Sequence, residues 1–119
     1  MLCAICGTPL LHIGVIGVRS LATMLRDNRG LQHLILHGNR PEAEGIREVA
    51  GALRLNTSLL SLDLCHCGVT DDQCLPLAAA LKQNYVLKDL HLSNNCLTDR
   101  GASSLLLSLK INLFLNKLR

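Results

Sequence analysis

Hydrophobic positions in this chain recur on a fixed beat. In "LKDLHLSNNCLTD", residues 87–99, Leu87, Leu90 and Leu92 are followed by Asn95 and Leu97. Twenty-eight residues earlier stands "LLSLDLCHCGVTD", and twenty-eight before that "LQHLILHGNRPEA". Leu31, Leu59 and Leu87 superimpose, as do Leu34, Leu62 and Leu90, and Leu36, Leu64 and Leu92. Leu115 and Leu118 continue the register. The alignment also runs through Leu21/Val49/Leu77/Leu105, Leu25/Leu53/Leu81/Leu109 and Asn28/Asn56/Asn84/Asn112. So long a set of coincidences at one period marks an internal structural repeat.

Within one unit the polarity changes period. Around Leu90 and Leu92 it alternates, which predicts a short strand with Asp89, His91 and Ser93 facing away from the core. Further on, Ile46, Val49, Ala50 and Leu53 are spaced for one buried face of a helix. Val18, Leu21, Ala22 and Leu25 repeat the stripe, as do Cys74, Leu77, Ala78 and Leu81, and Ala102, Leu105, Leu106 and Leu109. Thr70 and Thr98 occupy the expected N-caps, each followed by Asp, and Glu42 takes that place less well in the first full unit. Pro76 lies inside a helical stripe and predicts a shortened or bent helix. Asn39, Cys67 and Asn95 share the turn out of the strand, where a side-chain donor would satisfy backbone groups that lose ladder partners.

A strand–loop–helix–loop unit cannot bury its leucines alone, but stacked units can. The expected fold is therefore α/β: a right-handed solenoid segment with a parallel sheet on its concave face and helices on its convex face. It forms one domain, 1–119, with a degenerate unit at 1–30, units at 31–58, 59–86 and 87–114, and a truncated strand at 115–119. A strand without a covering helix predicts a fragment, a short isoform, or self-association through uncapped ends.

Composition narrows the function. The 119 residues are 49% hydrophobic, with Tyr85 and Phe114 the only aromatics, so leucine supplies the packing. A net charge of +3 from scattered basic residues argues against a nucleic-acid surface. No apolar run is long enough to cross a membrane, and no basic segment precedes "LLHIGVIGV" (10–18) to make it a secretory leader. Six cysteines without framework spacing suit reduced thiols and a cytoplasmic location.

"LLSLDLCHCGVTDDQCLPLAAALKQN" and "LKDLHLSNNCLTDRGASSLLLSLK" resemble the ribonuclease inhibitor-like class of leucine-rich repeats, found in ribonuclease inhibitor and in NLR innate-immune receptors. The resemblance covers about residues 12–118 and implies a curved solenoid that binds proteins on its concave sheet. Ribonuclease inhibitor alternates units of 28 and 29 residues, whereas this chain is uniform at 28, and its first unit carries Cys3, Cys6 and Thr8 at leucine positions.

Candidate chemistry is sparse. Cys3 and Cys6 form a CxxC, whose second zinc half-site would have to come from Cys65, His66 and Cys67. The repeat instead places Cys3, Cys6 and Cys74 in the core and Cys67 in the turn, leaving Cys65 alone exposed. His12 and His66 fall in loops. His33 and His37, about 13 Å apart along a strand, are too distant to share a metal. His91 neighbours Asp63 at about 4.8 Å between backbones, but no nucleophile faces the pair in a pocket. No P-loop is present. The chain is expected to be non-enzymatic, without metal or cofactor.

The expected activity is protein–protein interaction through three lateral rows: His33, Ser61, Asp89 and Lys117; Ile35, Asp63, His91 and Arg119; His37, Cys65 and Ser93. The chain would serve as a module or scaffold, as part of a larger repeat protein. The alternative is a regulator of an enzyme, since Ran GTPase-activating proteins use a similar solenoid and ribonuclease inhibitor blocks its target.

Overall fold

The computed structural model describes residues 3–4, 14–110, 112, 115 and 117–118. Five short strands, β1 (Cys3–Ala4), β2 (His33–Ile35), β3 (Ser61–Asp63), β4 (Asp89–His91) and β5 (Lys117–Leu118), form one parallel sheet in chain order. Between them run α1 (Val15–Asp27), α2 (Glu42–Leu55), α3 (Asp71–Gln83) and α4 (Asp99–Leu109), each packed on the next. In β2, β3 and β4 the central leucine is buried and its flanking residues are half-buried. Leu34, Leu62 and Leu90 thus meet the helical stripes of Val18–Leu25, Ile46–Leu53 and Cys74–Leu81 in one continuous core.

The aligned asparagines hold the units together. Asn56 Nδ2 donates to the Leu25 carbonyl at 2.7 Å, Asn84 Nδ2 to Leu53 at 2.8 Å and Asn112 Nδ2 to Leu81 at 2.7 Å. Each acceptor lies in the last turn of the preceding unit's helix, where a carbonyl has no partner within the helix. On the other side, Asn56 Oδ1 accepts from Ser58 N–H and Leu59 N–H at 2.9 and 2.7 Å, and Asn84 Oδ1 from Val86 N–H and Leu87 N–H at the same distances. Asn28 receives Gly30 and Leu31 in the same way. One amide thus ends a helix, aims the chain into the next strand and bonds the neighbouring unit.

A second ladder runs through the strand exits. Asn95 Nδ2 donates to the carbonyls of Leu64 and Leu92, both at 2.9 Å, and its Oδ1 accepts from Cys67 N–H and Val69 N–H at 2.9 and 3.0 Å. Cys67 Sγ makes the corresponding donation to Leu36 at 3.1 Å but offers no comparable acceptor oxygen. The residue one period before Val69 is Pro41, which has no N–H to satisfy, and Asn39 N–H is taken by the Leu36 carbonyl at 3.1 Å. The missing acceptor therefore faces a missing donor. Burial, opposed by the Asn39 and Gly38 amides, pushes the Cys67 thiol up to about 11.

Several expectations are corrected. A strict period would put Cys3 beside Leu31, but Cys3 pairs with His33 and Ala4 with Leu34. The offset from β1 to β2 is thus 30 residues, and β1 carries no leucine to fix the 28-residue register. Cys6, Thr8 and His12 lie outside the described residues, as does Arg119. Glu42 is not a cap: Pro41 is, and Glu42 opens α2 at φ +59°. Thr70 stands at its N-cap without a capping bond. Pro76 does not shorten α3, which has 13 residues like α1; the freed carbonyl belongs to exposed Asp72, where water can reach it. Ala102 and Leu106 are exposed and Leu109 only half-buried, because no further helix among the described residues covers α4. Leu92, Leu97, Ala102, Leu105, Leu106 and Leu118 instead line an open apolar cleft of about 220 Å³.

Asp71 reaches across to the next unit. Its Oδ1 accepts from Thr98 N–H at 2.8 Å and from Gly101 N–H at 3.0 Å, while Thr98 Oγ1 donates to its Oδ2. The Thr98 hydroxyl and amide, then Gly101 N–H and the Arg100 charge, hold its carboxyl below the usual range against the opposing effect of desolvation. Glycine is required at 101, since an added Cβ would collide with Asp71 Oδ1 and meet Asp71 Cα at 3.3 Å.

Asn84→Ala is expected to cost about 2–3 kcal/mol in urea unfolding, by orphaning buried backbone groups on both sides. Asn95→Ala should cost about 1–3 kcal/mol, and Cys67→Ser less, because its layer already lacks the amide. Glycine to alanine in a helix normally gains up to about 1 kcal/mol; Gly101→Ala should instead lower the urea midpoint. Because the Asp71 pKa is depressed on folding, its ionised form stabilises the protein above pH 3.8, the ordinary aspartate value, and that contribution is lost as the pH falls below it. Urea melts across pH 6 to 2.5 should therefore decline less steeply in Asp71→Asn.

Candidate functional site: the concave sheet face

Strand register arranges the outward residues. His33 pairs with Ser61, Ser61 with Asp89 and Asp89 with Lys117, while Ile35 pairs with Asp63 and Asp63 with His91. His33, Ile35, Ser61, Asp63, Cys65, Asp89 and His91 are half-buried, and Ser93 is exposed. The sheet backbone stays paired beyond the strands. Leu36 N–H donates to the Asp63 carbonyl at 2.9 Å, Gly38 to Cys65 at 3.0 Å, Leu64 to His91 at 2.8 Å and His66 to Ser93 at 3.2 Å. This continued ladder holds the third row, His37, Cys65 and Ser93, on ordered backbone.

At one corner of the face the polar groups converge. Ligand-capable atoms of His37, Asp63 and Cys65 all lie within 4.8 Å of one another. Asp63 Oδ1 accepts from Cys65 N–H at 2.9 Å, which orients the carboxylate. The Cys65 thiol is pushed up by burial and then by the bond and charge of Asp63, with Ser93 opposing. The His66 ring lies beside that of His37, with centroids 4.7 Å apart. Residues at its turn position are all left-handed: Gly38 at φ +79°, His66 at +55° and Asn94 at +60°. That aligned glycine and asparagine were the signal that His66 sits in a defined turn.

The thiols depart from expectation in one respect. Cys96 is exposed and Cys65 only partly so, because Cys65 is flanked on the sheet while Cys96 sits on the loop into α4. Cys74 is buried, and desolvation followed by the Asp71 charge pushes it up to about 11, the state of an unreactive core thiol. Among the described residues, no helix is long and apolar enough to cross a membrane.

The Leucine Rich repeat family model matches residues 55–78 and 83–106. These units are leucine-rich repeats. Leucine-rich repeat-containing protein 73 of Rattus norvegicus and of Homo sapiens are each 36% identical to the chain over 66 residues, or 52% of it. The chain spans 21% of the length of these relatives. Its fold is shared with a solved structure of leiomodin-1 actin-binding site 2, at a TM-score of 0.85 and 24% identity over 89% of this chain and 62% of that one. The tropomodulin C-terminal domain of Caenorhabditis elegans superposes at 0.78, with 20% identity over 86% of this chain and 62% of that one. Both likenesses are of fold.

Proposed function

We propose that this leucine-rich repeat chain binds a protein partner on the concave face of its sheet, through His33, Ile35, His37, Ser61, Asp63, Cys65, Asp89, His91 and Ser93. The observation that carries the reading is the one-sided covering of a parallel sheet. Parallel sheets are normally covered on both faces, and among the described residues helices meet only one. The other presents register-aligned polar side chains and Ile35, at positions where the leucine scaffold imposes no packing demand. Asp63 and Asp89 occupy its centre, which suits a basic or hydrogen-bond-donating protrusion and disfavours nucleic acid. Leucine-rich repeat domains generally mediate protein–protein contacts, so the reading needs no catalytic step.

Reversing Asp63 and Asp89 to lysine should reduce partner capture by about tenfold or more in a pull-down read by mass spectrometry. Glu48→Lys, on the helical side in an ion pair with Arg26, should leave capture unchanged. Loss with Glu48→Lys alone would move the interface to the convex face. Actin is a concrete first probe because the leiomodin-1 structure is named for an actin-binding site, and co-sedimentation reads it directly.

A further inference from the structure

We propose that His37, Asp63 and Cys65 form a binding site for a divalent cation of the zinc type. The atoms that would bind already lie within 4.8 Å of one another. Zinc bonds of about 2.0–2.3 Å place tetrahedral ligands about 3.3–3.8 Å apart. Side-chain rotation of about 1 Å on an open face closes the difference. The backbone need not move, since Gly38 N–H is bonded to the Cys65 carbonyl at 3.0 Å and His66 N–H to the Ser93 carbonyl at 3.2 Å.

The donor set is selective. One thiolate, one imidazole and one carboxylate suit zinc or cobalt, whereas magnesium and calcium prefer all-oxygen surroundings. The carboxylate is pre-oriented by Cys65 N–H at 2.9 Å, the kind of outer support that metal ligands require. His66 is brought to within 4.7 Å of His37, between ring centroids, by its left-handed turn. None of these side chains serves the repeat core. The same positions hold Ile35, His91 and Ser93 in the neighbouring units, so the cluster belongs to one corner of the sheet. The sequence reading weighed His33 with His37 and joined Cys65, His66 and Cys67 only to the CxxC, without combining His37 with Asp63 and Cys65. The site shares His37, Asp63 and Cys65 with the proposed partner-binding face, but its test needs no partner, because the chain alone reports it.

The test is Co²⁺ titration of the reduced 119-residue chain, followed by absorbance. The native chain should show a sulfur-to-cobalt charge-transfer band with tetrahedral visible bands, and Zn²⁺ should displace both. Cys65→Ser should abolish the charge-transfer band. His37→Ala and Asp63→Asn should each weaken Co²⁺ binding about tenfold or more. The Cys3→Ser/Cys6→Ser double variant and Cys96→Ser should retain the native spectrum. Circular dichroism shows which variants fold, and if Cys65→Ser does not, the His37 and Asp63 variants decide. An absent band in the native chain, a band that survives Cys65→Ser, or one lost with Cys3 and Cys6 would overturn the proposal.

Discussion

The solenoid depends on one recurring bond set, the side-chain amide of the asparagine that follows each helix. A helix ends with carbonyls that nothing inside it can satisfy, and a strand begins with amides not yet in a ladder. Asn56 and Asn84 meet both needs at once, donating to the preceding unit at 2.7 and 2.8 Å and accepting two amides of their own. Because donor and acceptor lie one unit apart, the bond also sets the spacing between units. A buried amide carries desolvation costs that only a complete set of partners offsets. Among the described residues, no buried side-chain nitrogen or oxygen lacks one.

Uniform layers follow from that spacing. Leu34, Leu62 and Leu90 are each at most 2% exposed, and Leu25, Leu53 and Leu81 are fully buried opposite them. Side chains of one size keep each layer equally thick, so the sheet remains in register from β2 to β5. Where the leucines stop, in β1, the register moves by two residues. The concave face inherits this order without contributing to it, which leaves its side chains free to vary.

Departures from the repeat are compensated between neighbouring units. Cys67 lacks an amide oxygen, and Pro41 opposite lacks an N–H. Asp71 extends a carboxylate into the first turn of α4, and Gly101 lacks the Cβ that would block it. In each case a residue that looks irregular in its own unit is matched by another about one period away. A solenoid permits this because each unit contacts only its neighbours, so a local exception needs only a local partner.

Much of this was legible in the sequence. The 28-residue period, the alternation at Leu90 and Leu92 and the helical stripe at Ile46, Val49, Ala50 and Leu53 determine strands, helices and parallel order, because apolar periodicity reports which face is buried. It also determines which residues share a row on the concave sheet, since equal periods superimpose. What the sequence could not decide was anything set across units by side-chain reach. The asparagines at 28, 56, 84 and 112 were visible as an alignment, but their bonds join residues 31 apart, such as Asn56 and Leu25. Asp71 bonding to Thr98, and His37 meeting Asp63, Cys65 and His66, likewise depend on side-chain direction and turn geometry at adjacent strands. Burial at α4 depended on whether a further helix covers it, which periodicity cannot express. Local pattern specifies the unit; only stacking in three dimensions decides what one unit places against the next.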